Sequence, residues 1–352
     1  MKILITGVNG FIGNWLARAL LKDKSFNVTG IDIKDFNLTH PVDEIISNPR
    51  FIFQNFDLLD ENNKTSLDTL VAEHDVIIPL AAIANPYLYI KQPLKVFELD
   101  FEHNLAMIKL ANKHHKRLIF PSTSEVYGMS EDAQFDEDST KLVMGPVQKM
   151  RWIYASSKQL LDRVICAYGL HEGLSYTLFR PFNWIGPRLD NIDSQSEGES
   201  RAFTQFMSNV IQGKPICIVN DGLQRRTFIY IEDAIDALLR IIKNENQCAH
   251  NQIYNIGNPK NDLSIYELAQ AMIQHAQGFP ELLKDSSLCK LEMVHSDDYF
   301  GQSYEDVSRR MPSIKKAKKD LGWQPETSVS DAIVKTFQFY KECSLKEQKK
   351  IN

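Results

Sequence analysis

The sequence predicts an α/β fold: a doubly wound parallel sheet with a smaller C-terminal α/β lobe. Three observations carry that expectation. In the first half of the chain short, wholly apolar strands alternate with helical stretches, as burial on both faces of a parallel sheet requires. A glycine-rich turn, Gly7 to Gly13, follows the first strand and opens a helix. After Arg180 the alternation lapses into a stretch rich in Gly, Pro, Asn, Asp and Ser, and a less regular region follows.

In chain order, the apolar runs at 3–6, 27–32, 51–56, 76–81, 118–122 and 176–180 read as strands. The intervening segments 11–21, 94–111 and 156–168 carry helical periodicity. Residues 183–199 read as a long loop. A helix at 202–212, strands at 216–219 and 228–231, a helix at 233–242, a strand at 253–256 and a helix at 264–275 complete the pattern. The strand at 253–256 can return to the first sheet, so the expected division is discontinuous. Residues 1–180 with 227–260 form a dinucleotide domain, and 181–226 with 261–345 form a substrate lobe. A chain of 352 residues is long for one compact core and suits that arrangement.

The net charge of −5, with no basic block, argues against a nucleic-acid surface. The lysine run at 315–319 reads as a solvated helix face. The five cysteines are scattered with no C-x-x-C, as in a reducing compartment. Met1 and Lys2 lead straight into a strand, leaving no room for a signal peptide, and no apolar stretch is long enough for a membrane span. The expectation is a cytoplasmic protein. No histidines stand at metal-ligand spacing, with His114 and His115 adjacent, so no metal is expected.

The turn at 7–13, GVNGFIG, lets backbone approach a pyrophosphate at a helix N-terminus. Its G-x-x-G-x-x-G spacing is a variant of the common dinucleotide fingerprint, and an ordinary tight turn is the alternative. Gly7, Asn9, Gly10, Phe11, Ile12 and Gly13 are the candidate contacts. Asp32 ends the second strand, where a carboxylate can accept hydrogen bonds from a ribose and repel a 2'-phosphate. That selects NAD over NADP in a Rossmann-like site, with Ile33 beside it. Asp57, with Leu58, ends the third strand where it can meet an adenine, although a turn-forming Asp serves as well. Leu80, Ala81 and Ala82 follow the fourth strand, small enough for a backbone that passes under a nicotinamide ribose or for close helix packing.

Ser122, Thr123, Ser124 and Glu125 follow the fifth strand at its carboxyl end, where doubly wound sheets place their ligands. Hydroxyls there can donate to a substrate oxygen as charge develops, or simply cap a turn. Tyr154 and Lys158 stand at i, i+4 on one helix face, so the ammonium is expected to lower the phenol's pKa and make it a general base.

The motifs GVNGFIGN, FPSTSEVYGM, FDED, RWIY, SKQLLDRVI, FRPFNWIGPRLDN and YEDV-x-x-R together resemble the extended short-chain dehydrogenase/reductases that act on nucleotide sugars. More narrowly, they resemble the UDP-glucuronate decarboxylase domains, forming a UDP-4-keto-pentose, of bifunctional polymyxin-resistance proteins. The segments RPFNWIGPR and R-T-F-x-Y-I-x-D-A-I are shared with the UDP-apiose/UDP-xylose synthases. The resemblance implies that Thr123 holds the sugar 4-hydroxyl, Tyr154 takes its proton, and Lys158 holds the cofactor ribose. It implies that Ser124, Glu125 and Arg310 serve decarboxylation. It places Ala84, Tyr89, Arg151, Asn183, Arg201, Gln224, Arg226 and Tyr304 around a UDP-sugar. Read without it, Glu125 is a first-turn acid and Arg310 part of a surface pair.

The implied reaction is NAD-dependent oxidation and decarboxylation of UDP-glucuronate, with some reduction to UDP-xylose left open. Ser124 stands where the apiose synthases carry cysteine, and Cys217 where the bacterial decarboxylase carries lysine. A 4-epimerase or dehydratase would need no partner for a carboxylate, and a non-catalytic dinucleotide-binding regulator would need neither Tyr154 nor Lys158. Family members pair through two helices, for which 94–111 and 156–168 are the counterparts, implying a homodimer.

Overall fold

The computed structural model describes residues 1–33, 45–193, 200–284, 290–299 and 307–351. Seven parallel strands form the central sheet: β1 (Lys2–Thr6), β2 (Asn27–Asp32), β3 (Phe51–Asn55), β4 (Val76–Pro79), β5 (Arg117–Pro121), β6 (Tyr176–Pro181) and the strand Gln252–Ile256. Across the sheet they run Gln252–Ile256, β6, β5, β4, β1, β2, β3. The chain thus winds outward in one direction from β1 and in the other from β4. A crevice opens at the carboxyl ends of these two neighbours, the place where such sheets bind ligands. This is the predicted doubly wound α/β architecture.

The strands are apolar because both faces are covered. Ile3 and Ile5 pack with Leu16, Leu20 and Leu238 on one face, while Leu4 meets Ile77, Leu118, Met107 and Leu161 on the other, all fully buried. Burial of each such side chain contributes about 1.5–3 kcal/mol. The helix Ile153–Glu172 stops at Gly173, whose φ of 77° takes the left-handed turn that a side chain would disfavour.

Three small sheets lie beside it among the described residues. Arg225–Thr227 lies between antiparallel Asp262–Ser264 and parallel Arg309–Arg310. Ile216–Val219 pairs with Leu291–Val294, and Trp184–Ile185 with Ile229–Tyr230. The last pair places a strand inside the stretch 183–199 expected to be loop throughout.

The segment expected as one helix at 94–111 is three pieces: Pro93–Phe97, a π-helical turn at Glu98–His103, and Asn104–Lys113. The wide turn loosens backbone carbonyls, and the Asn104 amide answers by donating to Leu99 O and Asp100 O, each at 3.2 Å. No helix among the described residues is long and apolar enough to cross a membrane.

Candidate active site

The glycine turn joins β1 to the helix Phe11–Lys22. Gly7 sits at φ 68°, and a Cβ there would lie 2.7 Å from Ala81 N. A Cβ on Gly13 would lie 2.6 Å from Gly7 O, so the helix packs as closely as it does only without one. No side chain caps this helix, and its first turn holds no acidic residue. Gly10 N donates to Gly7 O at 3.0 Å within the turn, so the first-turn N–H groups of Phe11 and Ile12 are the ones suited to an anion. Asp32 ends β2 and accepts from Asn9 N at 3.0 Å, holding the carboxylate beside the turn. Ile33, next to it, is exposed. Asp57 accepts from Leu59 N at 2.9 Å in a turn after β3, with Leu58 half-buried. Leu80 and Ala81 donate to Thr6 O and Thr6 Oγ1, which draws the segment through Ala82 across the end of β1.

The catalytic candidates gather at the end of β5 and on the facing helix. Thr123 begins a short 3₁₀ turn, Ser124–Tyr127, its hydroxyl accepting from Glu125 N at 3.2 Å. Tyr154 and Lys158 project together from Ile153–Glu172, both buried. Tyr89 stacks on Tyr154 with ring centroids 4.8 Å apart and planes 10° from parallel. Lys158 Nζ lies 4.8 Å from the Phe120 ring centroid and 5.9 Å from that of Tyr154, and it has no hydrogen-bond partner. An unpartnered buried ammonium beside a glycine cradle and Asp32 fits a group that brings hydroxyls, as a dinucleotide ribose does.

One expectation is corrected. Burial pushes the Tyr154 phenol well above its usual range, and the charges of Asp100 and Glu125 push it the same way. A hydrogen bond with the Thr123 side chain and the charge of Arg201 act to lower it, but burial outweighs them, and Lys158 Nζ stands 5.9 Å from the ring.

The larger surprise is the setting of Glu125. Arg151 Nη1 donates to Oε2 at 2.6 Å and Arg310 Nη1 to Oε1 at 3.4 Å. Burial alone would raise this carboxyl, but the charges and hydrogen bonds of the two arginines outweigh it and bring it to about 2. Arg310 reaches Glu125 because its short strand pairs with Arg225–Thr227, aligning Arg310 with Arg226. Its neighbour Arg309 turns outward to Asp262 at 2.8 Å. The two arginines of an apparent surface pair thus face opposite ways.

Of the remaining candidates, Arg226 is buried and donates to Val307 O at 2.7 Å, behind Arg310. Asn183, at φ 40°, donates to Thr227 O. Arg201 pairs with Asp190 at 2.8 Å, near enough for its charge to act on Tyr154. Gln224 is half-buried, its carbonyl accepting from Ile265 N, and Ala84 is exposed on the loop after β4. Tyr304 lies outside the described residues.

Sequence reasoning missed two features. Asp100, fully buried, accepts from Ile83 N at 2.9 Å and stands 3.9 Å from Lys158 Nζ. Its spacing from Asn104, Met107 and Ala111, all buried, was the available signal. A second buried chain runs from Ser122 Oγ to Asp162 at 2.7 Å, on through Arg180 to Tyr127 OH, and from there to Asn255.

Residues 3–257 match the NAD dependent epimerase/dehydratase family. The chain belongs to that family. Its cofactor is accordingly NAD. Among solved structures it is similar to the PbgP3 protein from Burkholderia pseudomallei, at 45% identity and TM-score 0.85, with 97% of this chain and 96% of that one covered. It is also similar to the UDP-glucuronic acid 4-epimerase from Bacillus cereus in complex with UDP-glucuronic acid and NAD, at 26% identity and TM-score 0.75, covering 97% and 99%. The UDP-glucose 4-epimerase from Thermotoga maritima shares the fold at 19% identity and TM-score 0.78, covering 97% and 99%. The protein is thus an NAD-dependent nucleotide-sugar enzyme of the epimerase/dehydratase type.

Proposed function

We propose that this epimerase/dehydratase family member is a UDP-glucuronate decarboxylase that oxidises C4 of the sugar and releases C6 as carbon dioxide, leaving a UDP-4-keto-pentose. The observation that carries the reading is the Glu125 carboxylate held between Arg151 and Arg310, a few residues from Thr123 and facing the Tyr154 helix. A 4-epimerase needs only the proton-transfer set, whereas here a buried guanidinium from the small lobe is added beside it. A 26%-identical 4-epimerase holds UDP-glucuronic acid, which supports the same sugar nucleotide as substrate here.

Bound NAD supplies the hydride acceptor. Tyr154 takes the 4-hydroxyl proton, its phenol hydrogen-bonded with Thr123 and the positive charge of Lys158 beside it offsetting part of the burial that raises it. Once C4 is a ketone, the C6 carboxylate belongs to a β-keto acid, and loss of carbon dioxide leaves an enolate. Arg310 holds the carboxylate, its planar fork matching a carboxylate's two oxygens. Glu125, ionised between its arginines and with Ser124 beside it, orients the water from which C5 takes up its proton. Ala84, Tyr89, Arg151, Asn183, Arg201, Gln224, Arg226 and Tyr304 hold the UDP-sugar. In this reading residues 1–180 with 227–260 carry NAD and 181–226 with 261–345 carry the sugar nucleotide.

The enzyme works in the cytoplasm as a homodimer. Leu94 and Leu160, exposed by 73% and 49% on the two candidate pairing segments, support that assembly. Incubation with UDP-glucuronate and NAD tests the activity: carbon dioxide release supports it, and UDP-galacturonate formed without release refutes it.

A further inference from the structure

We propose that Asp100 is a positioning residue, whose carboxylate ties Lys158 to the loop after β4 and supplies the fixed negative charge against which Lys158 stays an ammonium beside Tyr154. The inference rests on reading Tyr154 and Lys158 as a proton-transfer pair, and it concerns a residue to which that reading gives no task. Asp100 and Lys158 are at most 1% exposed. Asp100 Oδ2 accepts from Ile83 N at 2.9 Å, while Oδ1 lacks a hydrogen-bond partner and points toward Lys158 Nζ at 3.9 Å. The π-helical turn that carries it interrupts an otherwise regular helix, a distortion frequent at functional sites.

Asparagine would hold Ile83 equally well, without the several kcal/mol that burying a carboxylate costs, roughly. The charge therefore needs its own explanation. Burial pulls Lys158 below its usual range, opposed by Asp100 and Asp162. Asp162, one turn along the same helix, is engaged by Ser122 and Arg180 through Oδ2 alone, and it lies more than 4 Å from Lys158 Nζ. Glu125 acts on Tyr154 from the 3₁₀ turn, and is itself engaged by Arg151 and Arg310. His103, on the same turn as Asp100, is pushed down to about 4 by burial and is neutral near pH 7. The loop after β4 brings the Ile83 N–H. Among the described residues Asp100 is the carboxylate in ion-pair reach of Lys158 Nζ, at 3.9 Å, while burial raises it to about 6 against the pull of Lys158 and of that N–H.

The experiment is a pH titration of Lys158, followed by the carbon-13 shift of its Cε in lysine-labelled full-length protein without cofactor or substrate, assigned with K158R. In the wild type, the Lys158 signal should show a second inflection near pH 6 as Asp100 takes its proton. In D100N, which keeps an acceptor for Ile83 N–H, that inflection should vanish and the Lys158 midpoint should fall. D100E should restore the wild-type titration. With substrate and NAD, removing the negative charge eases loss of both protons, so both limbs of the D100N pH–rate profile should move to lower pH. The ratio of rates at pH 6 and pH 8 should then rise by about tenfold. A Lys158 titration with a single inflection in the wild type, or one unmoved in D100N, overturns the proposal. The titration uses no sugar nucleotide, so it stands or falls separately from the choice of substrate.

Discussion

Arg310 reaches the Glu125 carboxylate at 3.4 Å across 185 residues of chain, and both side chains are largely buried. A guanidinium delivered by a two-residue strand of one small sheet thereby meets an acid at the end of the central one. Glu125 also holds Arg151 at 2.6 Å, so its charge is shared between both parts of the molecule.

The shared charge predicts a pH-dependent stability. Glu125 titrates near 2 in the folded protein, against 4.5 as a free side chain. A depressed carboxyl contributes stability above its unfolded value and loses it as pH falls toward the folded one. E125Q should therefore be less stable than wild type at pH 7, by roughly 3 kcal/mol for breaking a buried pair. Denaturant unfolding at several pH values should show that gap closing between about pH 4.5 and 2.

Arg310 should separate oxidation from decarboxylation. Removing one well-placed electrostatic donor commonly costs about 10²–10³ in rate. R310A should release carbon dioxide at least about a hundredfold more slowly while binding NAD as wild type does, which a radiometric release assay and an NAD titration measure together. Full release from R310A would transfer the reading to epimerase or dehydratase chemistry.

Asp32 should set the choice of dinucleotide. Its carboxylate lies beside the glycine turn, fixed by Asn9 N, where it opposes a 2'-phosphate. In D32N the preference for NAD over NADP should shrink by roughly tenfold, measured as the ratio of dissociation constants.

Glu137 carries an opposite pH signature. It is buried, accepts from Asn255 N at 2.7 Å, and is raised by burial to about 7 from 4.5, against the hydrogen bonds that lower it. A carboxyl raised on folding stabilises the protein below its unfolded value and withdraws that stability as pH climbs to the folded one. Wild-type melting temperature should thus lose ground from about pH 4.5 to 7 relative to E137Q, which lacks the ionisation. Parallel curves for the two proteins would contradict this.

Much of this was legible because the signals were local. Apolar runs marked β1 to β6 within a residue or two, since a strand buried on both faces has little freedom in composition. The glycines of 7–13, and the i, i+4 pair Tyr154 and Lys158, depend on short spacings. The strand Arg309–Arg310 was not legible: two residues carry no periodicity, and only pairing with Arg225–Thr227 defines it. Asp100 was hidden for another reason: it shares a helical face with buried Asn104, Met107 and Ala111, and an acidic side chain on such a face is not ordinarily read as buried. The pKa of Tyr154 was misjudged because spacing along one helix says nothing of how deeply the phenol is buried, nor of the carboxylates of Asp100 and Glu125 brought in from other segments.

UDP-glucuronate labelled with carbon-13 at C6 tests the central claim most directly. With purified enzyme and NAD, the label should appear as carbon dioxide and bicarbonate while the sugar nucleotide loses the mass of its carboxyl group and gains a ketone. Label retained in a UDP-hexuronate of altered C4 configuration would contradict the account.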